Sequence, residues 1–159
     1  VFPVIGEGDH FAKIMFVGTD AKGVFRSTDA GASWVSLADK LKAFDNIMRF
    51  RDLVLAKEEK MNVFLATTYG LLKSTDNGSS WSKIELITPE NDAKINALAA
   101  NPSNAKEIYY VTNTTFYRSL DGGKNWTSKK LPTNRAGSAI LIDPKDPNII
   151  YLAAKKAKQ

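Results

Sequence analysis

Ser74-Thr75-Asp76-Asn77-Gly78-Ser79-Ser80-Trp81 carries the fold of this 159-residue chain, because the chain writes it three times. The other copies are Ser27-Thr28-Asp29-Ala30-Gly31-Ala32-Ser33-Trp34 and Ser119-Leu120-Asp121-Gly122-Gly123-Lys124-Asn125-Trp126. All three align without gaps as S-x-D-x-G-x-x-W, at separations of 47 and 45 residues. Each residue type has a physical task in a tight turn. Asp29, Asp76 and Asp121 are expected to accept hydrogen bonds from turn N–H groups. Gly31, Gly78 and Gly123 are expected to supply a positive φ or a close approach. Ser27, Ser74 and Ser119 can bond the local backbone through their hydroxyls. Trp34, Trp81 and Trp126 are expected to pack between sheet layers, where truncation to Ala typically costs roughly 3–5 kcal/mol.

Working outward, the flanks repeat as well. Val24-Phe25-Arg26, Leu71-Leu72-Lys73 and Phe116-Tyr117-Arg118 precede the three motifs, each an apolar pair and a cation. Ahead of these lie Ile14–Val17, Val63–Ala66 and Ile108–Val111, short apolar runs that read as buried strands. A further strand is expected around Val1–Ile5, Arg49–Leu55 and Ile95–Ala99, and a polar one after each Trp, at 35–38, 82–87 and 127–131. Each unit is therefore strand A, strand B, strand C, the motif as a C–D turn, and strand D. A fourth copy begins at 138–142, turns through Asp143-Pro144-Lys145-Asp146-Pro147-Asn148 and continues into 149–152. Its proline turn excludes a central strand there. A unit of four strands every 45 residues or so is the period of one propeller blade. The chain is read as all-β, a β-propeller of four-stranded antiparallel blades with about three and a half blades present. Residues 1–159 form one propeller region, with blades at about 1–40, 41–88 and 89–132 and a half blade at 133–159. Propellers close with roughly four to eight blades. This region is therefore expected to belong to a larger propeller or a homo-oligomer.

The three motifs resemble the Asp box, the bacterial neuraminidase repeat. The surrounding blade pattern is similar to propellers of the Ycf48-like photosystem II assembly-factor type and the sortilin Vps10 type. The resemblance covers nearly the whole chain and implies the fold. It also implies functions that range from sialidases and xyloglucanases to sorting receptors and assembly factors. An extracytoplasmic location (periplasmic, secreted or cell-surface) is implied by the resemblance alone.

Composition narrows the chemistry. There is no cysteine, so disulfides and thiolate metal sites are excluded. The one histidine, His10, stands in Gly8-Asp9-His10-Phe11, which offers no catalytic partner. A calcium loop needs oxygen ligands at alternate positions and a distal Glu, which the boxes lack. No metal and no cofactor are expected, and no catalytic set is assigned. No apolar run is long enough to span a bilayer. Val1–Gly8 lacks a basic start and a long apolar stretch, which predicts no signal peptide. The net charge of +5 is concentrated late: residues 124–159 hold eight Lys/Arg and two Asp/Glu. Lysines on an outer strand and tail keep an edge soluble, and a nucleic-acid partner is not expected.

In a blade of this order the B–C and D–A connections share one face, and propellers of the resembled type bind ligands there or in the central channel. The B–C loops hold Thr19, Asp20, Lys22, then Thr68, Tyr69, then Asn113, Thr114; the D–A loops span 38–47, 88–94 and 132–137. Lys22, Tyr69, Asn113 and Arg135 are the candidate contacts, Tyr and Arg because these types are enriched at hot spots. The favoured function is a non-catalytic scaffold for a protein partner, in complex assembly or extracytoplasmic recognition. The alternatives are a sialidase- or xyloglucanase-like glycoside hydrolase fragment, or a surface glycan-binding or adhesion module. The sialidase Arg-Ile-Pro start motif is absent. Of the five arginines, Arg26 and Arg118 precede boxes. Paired acids for a xyloglucanase-like site, such as Asp20 or Asp92, need a geometry that spacing does not give.

Overall fold

The structure, a computed structural model, describes residues 4–5, 13–19, 22–44, 47, 49–57 and 60–156. Three four-stranded antiparallel sheets and one hairpin follow each other along the chain. The first sheet holds β1 (Val4–Ile5), β2 (Met15–Thr19), β3 (Gly23–Ser27) and β4 (Val35–Ser36). The second holds β5 (Phe50–Lys57), β6 (Met61–Thr67), β7 (Leu71–Ser74) and β8 (Ser82–Ile84). In the third are β9 (Ala97–Asn101), β10 (Asn104–Val111), β11 (Thr115–Ser119) and β12 (Thr127–Lys130). A hairpin of β13 (Ala136–Ile142) and β14 (Ile150–Lys155) completes the series. In every sheet the spatial order equals the chain order, as a meandering propeller blade requires. The chain is an all-β propeller segment.

Two local departures from the sequence reading have simple causes. The fourth strands stop early, at Ser36 and Ile84, because the chain there turns into the next blade. The first D–A loop contains a single helical turn, α1 (Ala38–Leu41), which buries Leu41 with Leu37 beside it. One turn is too short to announce itself through a 3.6-residue period. His10 and Asp20 lie outside the described residues, as does Lys158.

The second strand of each blade explains why the sheets stack. All seven residues of β6 are buried. Val63 and Leu65 enter the core shared with Phe16 and Val24 of the first sheet. Phe64 and Ala66, pointing the other way, enter the core shared with Ile108 and Tyr110 of the third. A strand apolar on both faces must be covered on both faces, and the alternation of two makes each sheet a divider between cores. Tyr109 continues the series by packing with Ile142 and Ile150 of the hairpin.

Glycine permits the closest approaches between sheets. A Cβ on Gly18 would stand 2.1 Å from the ring of Phe50 in the next blade, and one on Gly137 would stand 2.3 Å from Val111. The inner strands are also tied by polar contacts. Asp52 of β5 accepts the backbone N–H of Leu98 in β9 at 2.8 Å and that of its own neighbour Leu53 at 2.9 Å. Burial pushes the Asp52 carboxyl up despite these donors.

Candidate functional site

The three boxes fold alike. In each, the serine hydroxyl donates to the aspartate, at 2.7 Å from Ser27, 2.8 Å from Ser74 and 2.8 Å from Ser119. The same hydroxyl oxygen accepts the glycine N–H, at 2.8 Å from Gly31, 2.7 Å from Gly78 and 2.8 Å from Gly123. The aspartate then accepts the backbone N–H four residues on, from Ser33, Ser80 and Asn125. Those residues add a side-chain donor to the second carboxylate oxygen. The carboxyls are therefore held ionised, at about 2. For Asp29 the Ser33 hydroxyl is the largest cause, and for Asp121 the Asn125 amide. At Asp76 burial pushes upward, and the Ser80 hydroxyl and amide outweigh it. Both oxygens of each aspartate are spent on the turn, which leaves none aimed outward for chemistry. Among the described residues no cluster of three His, Cys, Asp or Glu is grouped to hold a metal.

The box glycines have left-handed φ values of +91°, +81° and +90°. In the second and third boxes their open side faces the preceding blade. A Cβ on Gly78 would meet Phe16 at 2.9 Å, and one on Gly123 would meet Ile84 at 2.2 Å. Trp81 packs into the core between the first and second sheets. Trp126 packs between the second and third, edge-on to Tyr110 at 5.0 Å, with its indole N–H donating to the Glu85 carbonyl at 2.8 Å. Trp34 departs from the expectation. It remains 39% exposed, because no sheet among the described residues covers that side of the first blade.

The second B–C loop meets the first and second D–A loops at Tyr69. Its ring meets Phe44 of the first D–A loop edge-on at 5.5 Å, and its carbonyl accepts the N–H of Asn91 in the second. This bracing leaves Tyr69 only 8% exposed, so it is a structural pillar more than a free contact. Beside it opens a cleft of about 200 Å³ lined by residues 69–71 and 83–90. Lys83 reaches both acids of the cleft, Glu85 at 2.8 Å and Glu90 at 2.9 Å. The Lys83 ammonium, bonded first by Glu85 and then by Glu90, is pushed well above its ordinary value. Glu90 is held below the usual carboxylate range by Lys83 first and the Tyr69 hydroxyl second. Ile87, 58% exposed, and Pro89 give the cleft an apolar lip.

Of the four candidate contacts, only Tyr69 lines this cleft. Lys22 is exposed in the first B–C loop, with its N–H on the Thr19 hydroxyl. Asn113 accepts from the Asn96 amide at 2.9 Å. Arg135 is exposed in the third D–A loop, its backbone N–H held by Thr133. Lys83 and Glu85 were not singled out from the sequence. Their spacing, Lys83-x-Glu85 with Glu90 across a loop, is a pattern that any charged surface strand offers.

Comparison with known proteins places this geometry. Over 138 residues the chain is 25% identical to the xyloglucanase Xgh74A of Acetivibrio thermocellus, covering 86% of this chain and 15% of that protein. The crystal structure of an ancestral GH74 enzyme superposes with a TM-score of 0.68 at 22% identity, over 93% of this chain and 21% of the other. Ycf48 bound to D1 peptide superposes with a TM-score of 0.60 at 20% identity, over 84% of this chain and 41% of the other. The chain thus spans about a sixth of the length of the curated relatives it matches. A family model described as "Sortilin, neurotensin receptor 3" matches residues 69–159, more than half of the chain, across the third blade, the hairpin and the cleft. With three Asp boxes, the second and third wedged between stacked sheets, and with this match, the chain belongs to the Sortilin-Vps10 family of β-propellers.

Proposed function

We propose that this propeller segment is a non-catalytic scaffold that binds a protein partner on its B–C and D–A loop face, at the cleft beside Tyr69. The observation that carries this reading is the charge pairing within the cleft. A glycosidase of the two-carboxylate type needs one acid that stays protonated near neutral pH. Glu85 and Glu90 instead share one ammonium, and Glu90 is driven toward ionisation. An exposed ion pair beside apolar Ile87 and Pro89 suits recognition of an extended peptide, through one polar anchor and an apolar lip that binding would cover. Ycf48, which has this fold, has been solved with a D1 peptide bound, and that complex supports a protein ligand here. Lys22, Asn113 and Arg135 would extend the contact along the same face. An extracytoplasmic setting rests on the family.

A second reading is favoured by the match to Xgh74A: the chain would be part of a xyloglucan-degrading propeller, with its acids outside the cleft. A glycan-binding module is the milder form of that reading. One experiment separates them. The purified chain is panned against a displayed peptide library and incubated with xyloglucan oligosaccharides, with calorimetry and reducing-sugar release as readouts. The scaffold reading expects a peptide whose affinity falls at least tenfold in Lys83→Ala at unchanged melting temperature, with no sugar bound or cleaved. Sugar release abolished by Glu85→Gln or Glu90→Gln would replace it with the enzyme reading. Sugar binding without cleavage would favour the glycan module.

A further inference from the structure

Among the described residues, three buried side-chain oxygens have no hydrogen-bond partner: Asn77 Oδ1, Thr88 Oγ1 and the Tyr110 hydroxyl. The last two belong together. Tyr110 is wholly buried on β10, stacked on Tyr117 at 4.3 Å and edge-on to Trp126 at 5.0 Å, so its ring is fixed. It shares one core with Leu71, Ile84 and Leu86, which line the cleft beside Tyr69. Thr88 lines the same cleft, half-buried, on the loop that leaves β8. The two hydroxyls are neighbours. Burial pushes the Tyr110 phenol up, the Tyr117 phenol adds to this, and the Thr88 hydroxyl pulls it back.

Counting donors shows what the pair lacks. A hydroxyl has one hydrogen to donate and two lone pairs that accept. If the phenol donates to Thr88 Oγ1, the Thr88 hydrogen still needs an acceptor. If Thr88 donates to the phenol, the phenol hydrogen needs one. Whichever way they turn, the site is one acceptor short, and a buried O–H without an acceptor costs stability. Thr88 is the member of the pair that borders the cleft. The acceptor that fits there is uncharged. Lys83 is shared by Glu85 and Glu90, one ammonium against two carboxylates, so an incoming carboxylate would meet an excess of like charge.

We propose that Thr88 reads a side-chain carboxamide, Asn or Gln, of the peptide bound in this cleft. The carboxamide oxygen accepts the Thr88 hydroxyl, and Thr88 Oγ1 accepts the phenol hydrogen. Tyr110 is a positioning residue beneath it, and hydrogen bonds in such a chain strengthen one another. The carboxamide NH2 suits the excess acid of the rim, and Ile87 and Pro89 suit its aliphatic stem. This inference rests on the scaffold reading and names what the scaffold selects. In the free chain the unmet hydroxyls are held at some loss of stability, as groups kept for recognition are.

The test adds three blocked pentapeptides, acetyl-Ala-Leu-X-Leu-Ala-amide with X as Gln, Glu or Met, to the isotope-labelled 159-residue chain. Amide resonances are followed by NMR. The proposal expects saturable shifts at Thr88 and its neighbours with Gln, and binding weaker by about fivefold or more with Glu or Met. Thr88→Val and Tyr110→Phe keep the shape and delete one hydroxyl each, and both should erase the preference for Gln over Met. Tyr110→Phe should also raise the melting temperature of the free chain, because an unmet hydroxyl is gone. A lowered melting temperature would show that hydroxyl already bonded, to Thr88 or to a water, and would overturn the proposal. Equal shifts from all three peptides, or shifts from none, would overturn it as well. Lys83→Ala keeps this proposal apart from the scaffold reading. Binding that depends on Lys83 without a preference for Gln removes the proposal and leaves the scaffold. A Gln preference that survives Lys83→Ala keeps the proposal and removes the Lys83 anchor.

Discussion

The box aspartates and glycines convert three short stretches of sequence into tight turns, the second and third of which join blades. The aspartate carboxyls sit at about 2 when folded, against an ordinary value of 3.8. A lowered folded value means stability that is complete above the unfolded value and lost as pH falls through the folded one. Glu90 and Asp143 are lowered too and act in the same direction, Glu90 through Lys83 and Asp143 through the Lys145 amide. Asp52, raised by burial, opposes them. Acid unfolding followed by circular dichroism is expected between about pH 4 and pH 2. Asp→Asn at all three boxes should lower stability at neutral pH and flatten that transition; an unchanged profile would show that the boxes do not anchor the turns. The glycines separate by surroundings. Gly123→Ala combines left-handed strain with a clash against Ile84 and should cost about 2–4 kcal/mol, whereas Gly31→Ala, with only strain, should cost about 1 kcal/mol. Urea titration of the two variants checks the difference.

At the level of strands and turns, each sheet is a divider whose value depends on what stands on either side. Trp126 is enclosed by the second and third sheets, so Trp126→Ala should cost about 3–5 kcal/mol in thermal unfolding. Trp34, covered on one side only, should cost less, about 1–2 kcal/mol in this chain. Gly18→Ala should be severe despite lying in a strand, because a Cβ there meets the Phe50 ring. The strands, the turns and the box hydrogen bonds were legible in the sequence, since Ser, Asp and Gly act on backbone only a few residues away. The surroundings of the cleft and of the first box were not. Tyr69 looks like a loop-tip contact until Phe44 and Asn91 arrive from two other loops. The Lys83 ion pairs depend on a loop bringing Glu90 back past the end of β8. The exposure of Trp34 depends on a neighbour, which no local pattern encodes.

For the molecule as a whole, the second and third boxes each join two blades, so that the sheets stand radially with Trp81, Trp126, Gly78 and Gly123 as wedges. Ile84 closes the fourth strand of one blade and Gly123 turns the box of the next, so energetic coupling between them arises only if the blades abut there. Replacing Ile84 by Ala removes the atoms that stand 2.2 and 3.6 Å from a Cβ at position 123 and leaves one at 3.5 Å, an ordinary contact. The decisive measurement is a double-mutant cycle on stability with Ile84→Ala, Gly123→Ala and the double variant. The account predicts that the double variant is more stable than the sum of the single losses by about 1–3 kcal/mol. Additive losses, within about 0.5 kcal/mol, would mean that the two blades do not meet at the box.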